Sequence, residues 1–127
     1  MNETLLHGEI SDQILKSFFT VNKAFPIGFP IELYKKAIPI EFEINGLTFT
    51  NNHSIIFSYK NTEIGTLCAD FLINSKVLVL IENVNHIDKN IEQKANLLLR
   101  YSEYEVCIIL NIGGDRDFKR IIFTNDL

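Results

Sequence analysis

The stretch Lys76-Val77-Leu78-Val79-Leu80-Ile81-Glu82-Asn83 decides the fold. Residues 77–81 are apolar at every position, so an extended segment here must be covered on both faces. Such a strand belongs in the middle of a sheet, with other elements above and below it. Val106 to Ile112 has the same character. Between the two lies a helical stretch, roughly Ile87 to Ser102, with Asp88 placed to cap it. Strand, helix and strand in that order predict a βαβ unit with parallel strands and a right-handed crossover.

Working outward, Lys60-Asn61 and Asn74-Ser75 read as tight turns, because Asn tolerates positive φ. They bracket a strand over Thr62 to Ile73, preceded by two strand-like stretches, Leu47 to Thr50 and His53 to Tyr59. Further upstream, Ile14, Leu15, Phe18, Val21 and Phe25 recur at three- and four-residue steps, the helical period. Ser11 is the expected N-cap, Asp12 lies in the first turn, and Pro26, Gly28 and Pro30 end the helix. Ile31 to Ile44 carries two patterns. Leu33, Tyr34, Ala37 and Ile38 fit a helix, whereas Ile38, Ile40, Phe42 and Ile44 alternate like a strand, and Pro39 breaks a straight helix. At the other end, Gly113-Gly114-Asp115 turns the chain into a last short strand, Phe118 to Thr124. The sum is an α/β sandwich with a mixed β-sheet flanked by helices.

With 127 residues the chain has room for one domain, spanning 1–127. Apolar residues make up 46% and charged residues 22%, an ordinary globular balance that excludes intrinsic disorder. Twelve basic against sixteen acidic residues give a net charge of −4, which excludes a generally cationic nucleic-acid coat. Val77 to Ile81, as long an apolar run as the chain has, is too short to span a bilayer, and the first residues lack the apolar core of a secretory signal. Cys68 and Cys107 both lie in apolar runs and are expected as buried free thiols. A soluble, cytoplasmic protein with no membrane partner is the expectation.

Polar groups where the pattern demands apolar ones carry the chemical signal. Asp70 interrupts Leu67-Cys68-Ala69-Asp70-Phe71-Leu72-Ile73, and Glu82 ends the most apolar strand. At 100° per residue, Ile87, Ile91, Lys94 and Leu98 fall within about 60° of one another, so Lys94 sits inside the apolar stripe of its helix. A lysine there must snorkel outward or meet an acid. Two acids on adjacent strands with a lysine above them suit metal-dependent phosphodiester cleavage. The acids, Asp70 and Glu82, would hold a hard cation, and the ammonium of Lys94 would neutralise developing charge. From residue types alone the favoured reading is a structural arrangement: a Glu82–Lys94 ion pair at the sheet edge, with Asp70 hydrogen-bonded to backbone.

Other candidates point to ordinary surface roles. His86 and Asp88 precede a helix and complete no metal-ligand set. Lys16, Lys23, Lys35 and Lys36 near the N-terminus, and Arg116, Lys119 and Arg120 near the C-terminus, read as solvated faces. Gly113-Gly114-Asp115 opens no helix and is followed by no Lys-Ser/Thr, so it is a turn and not a phosphate loop. Tyr101 and Tyr104 are candidate exposed aromatics for a partner surface.

The chain resembles the small bacterial GxxExxxY proteins of the PD-(D/E)XK nuclease superfamily over about residues 8–123. The likeness runs through Val21-Asn22-Lys23, Gly28-Phe29-Pro30-Ile31-Glu32-Leu33-Tyr34, Tyr59-Lys60-Asn61, Ala69-Asp70-Phe71-Leu72 and Lys76-Val77-Leu78-Val79. It ends with Leu110-Asn111-Ile112 and Phe118-Lys119-Arg120-Ile121-Ile122. The resemblance implies that 31–44 is a helix, kinked at Pro39, and with the elements read above the order is α-α-β-β-β-β-α-β-β. It places the family's first metal-binding aspartate on Asp70. The family's Glu-x-Lys falls on Leu80-Ile81-Glu82, so the acid has become Leu80 and the lysine has become Glu82. A helix glutamine falls on Lys94, the acid of the naming motif on Ile31 with Glu32 displaced by one, and a first-helix histidine on Asn22. Gly28 and Tyr34 of the naming motif remain.

Three classes of function follow. The leading one is a nuclease-like domain with a degenerate site, binding a nucleic acid or a protein partner and needing no cofactor. The second is a nuclease with a rearranged site of Asp70, Glu82 and Lys94, taking Mg²⁺ or Mn²⁺. The third is a dimerisation module in which edge strand 47–50 or 118–124 extends a partner's sheet.

Overall fold

The computed structural model describes residues 6–123. They form two helices, α1 (Gly8–Ala24) and α2 (Ile31–Ile44), then strands β1 (Phe49–Tyr59), β2 (Thr62–Ile73) and β3 (Val77–Glu82). Helix α3 (Lys89–Arg100) and strands β4 (Val106–Asn111) and β5 (Phe118–Ile122) follow. The five strands make one sheet in the order β1-β2-β3-β4-β5. β1, β2 and β3 meander antiparallel, β3 and β4 run parallel across the α3 connection, and β5 returns antiparallel to β4.

The fully apolar strands do what their composition requires. Val77, Val79 and Ile81 of β3, with Val106, Ile108 and Leu110 of β4, join a core that includes Ile14 and Phe18 of α1 and Tyr34, Ile38 and Phe42 of α2. Leu78, Leu80, Cys107 and Ile109 join a second core with Ala95, Leu98 and Leu99 of α3. The sheet is therefore the middle layer, with α1 and α2 on one face and α3 on the other. The expected mixed α/β sandwich is the observed fold, and 31–44 is helical with Pro39 inside it. Burial of Tyr34, Ile38 and Phe42 outweighs the main-chain bond that Pro39 cannot make. Among the described residues no helix is long and apolar enough to cross a membrane.

Several local expectations shift. Ser11 is not a cap: α1 starts at Gly8, and the Ser11 hydroxyl donates to the His7 carbonyl 3.0 Å away inside the helix. The stretches at 47–50 and 53–59 join in one strand that begins at Phe49, so Leu47 and Thr48 lie outside it. Asn52, at φ 51°, interrupts the extended run between the register pairs Asn51↔Phe71 and His53↔Ala69, and the register shifts again between Phe57 and Ser58. α3 is shorter than 87–102, and Asp88 caps it by accepting the Ile91 N–H at 3.0 Å. Cys107 is buried as expected, but Cys68 is exposed, because its part of β2 has only β1 beside it. Thr124 lies outside the described residues.

Candidate functional site

β2 and β3 pair only from Phe71↔Val79 to Ile73↔Val77. Beyond that point β2 stays with β1, and Leu80 to Glu82 of β3 stay with β4. The two central strands therefore part at Asp70 and Leu80. Parting leaves the Ile81 N–H without a main-chain acceptor from β2, and a donor so placed needs another partner. The Asp70 carboxylate supplies it, with Oδ2 accepting the Ile81 N–H at 2.6 Å.

The other oxygen of Asp70 is also engaged. Lys35 reaches down from α2 and places Nζ 2.8 Å from Oδ1. The aspartate side chain is 18% exposed and the lysine 33%, so this is a largely buried pair. Burial acts to lower the pKa of Lys35. The bond to Asp70 and the charges of Asp70, Glu32 and Glu82 more than offset it, and the ammonium is held above the usual lysine range.

Glu82 and Lys94 complete the cluster. Glu82 is half-buried, and desolvation raises its pKa. The positive charges of Lys94 and Lys35 oppose that rise, while the negative charges of Asp70 and Asp88 reinforce it. Among the described residues the direct ion pairs are Lys35–Asp70 and Lys119–Glu92, so Lys94 acts on Glu82 across a gap and not through a bond. Lys94 and Asp70 also act on Cys107, but burial dominates there and pushes the thiol far above its usual range, which makes it a poor nucleophile. Leu80 is fully buried in the core beneath α3.

The three residues singled out from the sequence thus come within electrostatic reach of one another, and a fourth, Lys35, joins them. Its signal was present. On a helix, Ile31, Lys35, Ile38 and Phe42 fall within about 60°, so Lys35 stands in the apolar stripe of α2 as Lys94 does in α3. Two acids and two lysines balance in charge. They do not make a metal cradle: both Asp70 oxygens are taken, Leu80 offers no donor, and no three of His, Cys, Asp and Glu among the described residues gather as a ligand set.

The remaining candidates are placed apart from this cluster or bound up in structure. His86 is exposed, and Asp88 serves α3 as its cap. Arg116 donates from Nη1 to the Asn22 carbonyl at 2.6 Å and from Nη2 to the Phe25 carbonyl at 2.7 Å, closing the C-terminal end of α1. Arg120 bonds the Leu6 carbonyl, and Lys119 pairs with Glu92. The C-terminal basic residues are thus spent internally, whereas Lys16, Lys23 and Lys36 are exposed. Tyr101 is exposed against Phe57, and Tyr104 is half-buried against His53. Tyr34 donates its hydroxyl to Oδ1 of Asn22 at 2.9 Å, tying α2 to α1.

Sequence reasoning missed one buried polar residue beside Glu82. Asn111, its register partner on β4, has no exposed surface. Its Oδ1 accepts from the Val84 and Gly113 N–H groups at 3.0 and 3.1 Å. Its Nδ2 donates to the Val84 carbonyl at 2.9 Å and to Oδ1 of Asp117 at 2.8 Å. Burial tends to raise the pKa of Asp117, but the bonds from Asn111 and the Ile87 N–H hold it below the usual carboxylate range. The loops after β3 and β4 are locked together by this residue. Gly114 fits the close approach, with φ 55° and its Cα against the Asn85 carbonyl.

A protein-family model described as the PD-(D/E)XK nuclease superfamily matches residues 8–121. No curated protein and no solved structure matches the chain.

Proposed function

Because the chain belongs to the PD-(D/E)XK nuclease superfamily, we propose that it is a degenerate, GxxExxxY-type member acting as a binding or scaffold module and not as a nuclease. The observation that carries this is the state of Asp70. The acid that would hold the cation has one oxygen on Lys35 and the other on the Ile81 N–H. The second acid of the motif is replaced by Leu80, fully buried, and the motif's lysine position holds Glu82. Its carboxylate is itself resisted by burial and faced by two lysines.

The partner we favour is a protein. The net charge is −4, and Arg116, Lys119 and Arg120, which would have served a phosphate backbone, are committed to internal acceptors. The test is incubation of the full chain with labelled single- and double-stranded DNA and RNA at millimolar Mg²⁺ or Mn²⁺, with calorimetric titration of Mn²⁺ alongside. No metal-dependent cleavage and no Mn²⁺ binding are expected. Metal-dependent cleavage that disappears in Asp70→Ala would overturn the proposal and favour the rearranged site of Asp70, Glu82 and Lys94.

A further inference from the structure

Helix α2 is apolar on two faces. Tyr34, Ile38 and Phe42 face the sheet and are fully buried. Leu33, Ala37, Ile40 and Ile44 lie on the opposite side, within about 60° of one another at 100° per residue. Ala37 is half-buried, and the other three are among the most exposed large apolar residues, at 49%, 60% and 70%. Their steps of four, three and four residues are those of a helix–helix seam. A surface helix needs one apolar face, not two.

We propose that this second face of α2 is a homodimer surface, on which α2 of one copy packs antiparallel against α2 of a second copy about a two-fold axis. The seam is self-complementary in that arrangement. A two-fold between positions 38 and 39 sets Leu33 level with the partner's Ile44, and Ala37 level with the partner's Ile40. The small Ala37 gives the neighbouring isoleucine room to enter.

The charges select the occupant. Lys36 and Glu43 lie on the same flank of the seam, two turns apart and both exposed. A two-fold axis perpendicular to the helices keeps each flank on its own side and reverses its direction. It therefore brings Lys36 of each copy beside the partner's Glu43, twice per dimer. The surface is independent of the Asp70 cluster, because Lys35 points from the sheet-facing side of the same helix.

A helix of 14 residues is about 21 Å long, so the contact buries roughly half of the usual 800 Å² per partner. A weak dimer with Kd on the order of tens of micromolar is expected. The experiment is sedimentation velocity of the full chain across a concentration series from about 1 to 500 μM, chosen to bracket that Kd. Ile40→Glu should abolish association while leaving thermal unfolding cooperative, since Ile40 contributes little to the core. Lys36→Glu and Glu43→Lys should each weaken association about tenfold, and the double exchange should recover it. A monomer across the whole range would overturn the proposal. So would a dimer indifferent to Ile40→Glu, which would place the contact on another surface, such as the β1 or β5 edge.

Discussion

Replacing Lys35 with methionine and Asp70 with asparagine, singly and together, isolates the charge pair at the parting of β2 and β3. Methionine keeps most of the lysine stem, and asparagine keeps an acceptor for the Ile81 N–H, so each change removes mainly the charge. The pair is 2.8 Å apart with its two side chains 33% and 18% exposed. Exposed pairs contribute about 0.2–1 kcal/mol, and loss of one partner from a fully buried pair costs about 3–5 kcal/mol. A largely buried pair falls between, and each single variant should lose about 1.5–2 kcal/mol. For a chain of this size that lowers Tm by roughly 5–8 °C. The double variant should lose little more than either single one, giving a coupling energy of about 1.5 kcal/mol. Urea denaturation in low salt measures all four corners, and repetition near 1 M NaCl should reduce the coupling, because the lysine end reaches solvent. The pH dependence has a definite sign. The pKa of Lys35 is raised in the fold, so its contribution is complete below the unfolded lysine value of about 10.4 and is lost as pH rises through the higher folded value. The Lys35→Met penalty should therefore be constant from neutral pH to about pH 9 and vanish only in strong alkali. Additive single losses, with coupling below about 0.3 kcal/mol, would refute the role assigned to Lys35.

Asn111→Leu should be the more damaging change. It strands the Val84 N–H and carbonyl, the Gly113 N–H and the Asp117 carboxylate, which together cost about 3–4 kcal/mol after partial rehydration. A loss under about 1 kcal/mol in urea denaturation would show that the two loops hold without it. Glu82→Gln should act in the opposite direction. Burial raises the pKa of Glu82, so the folded state loses stability as pH rises from the unfolded value of about 4.3 through the folded one. Glutamine escapes that loss: Tm should exceed that of the parent at pH 7 and match it near pH 3, whereas a lower Tm at pH 7 would mean that attraction to Lys94 and Lys35 prevails.

The central sheet was legible because its two inner strands are apolar on both faces, and only one layer arrangement covers such strands. The turns at Lys60-Asn61 and Asn74-Ser75 were legible because their residues accept the positive φ observed, 48° and 65° in the first and 52° and 56° in the second. What misled was local chemistry with two outlets. Ser11 can cap a helix or bond the carbonyl four residues back, and it does the second. Asn51-Asn52 reads as a break, yet pairing with β2 on both sides carries the strand through it. Cys68 lies in an apolar run, but that run belongs to a hairpin extending beyond β3, which no composition rule reveals. In the site, Asp70 and Glu82 stood out as acids in apolar strands. Lys35 did not, because 31–44 carried both a helical and an alternating pattern, and without a period no face can be assigned.

The parting of β2 and β3 gives Asp70 a structural role that Leu80 and Glu82 do not share. Leu80 and Glu82 are side chains on a continuous strand whose main chain pairs with β4 whatever they carry. Asp70 differs, since it replaces a strand: its carboxylate is the acceptor for the Ile81 N–H where β2 has turned away. An apolar residue there would leave a partly buried donor unmet, at about 1–3 kcal/mol. Once a carboxylate is required for that bond, its charge needs an answer, and the nearest helix supplies one through Lys35. The same logic applies at the end of β3. Glu82 brings a negative charge into a half-buried position, and Lys94 brings the compensating one from α3. The cluster of two acids and two lysines thus rests on a backbone geometry that demands one of its acids. Asp70→Asn keeps that acceptor and Asp70→Leu removes it, so the stability difference between these two variants measures the structural role apart from the charge.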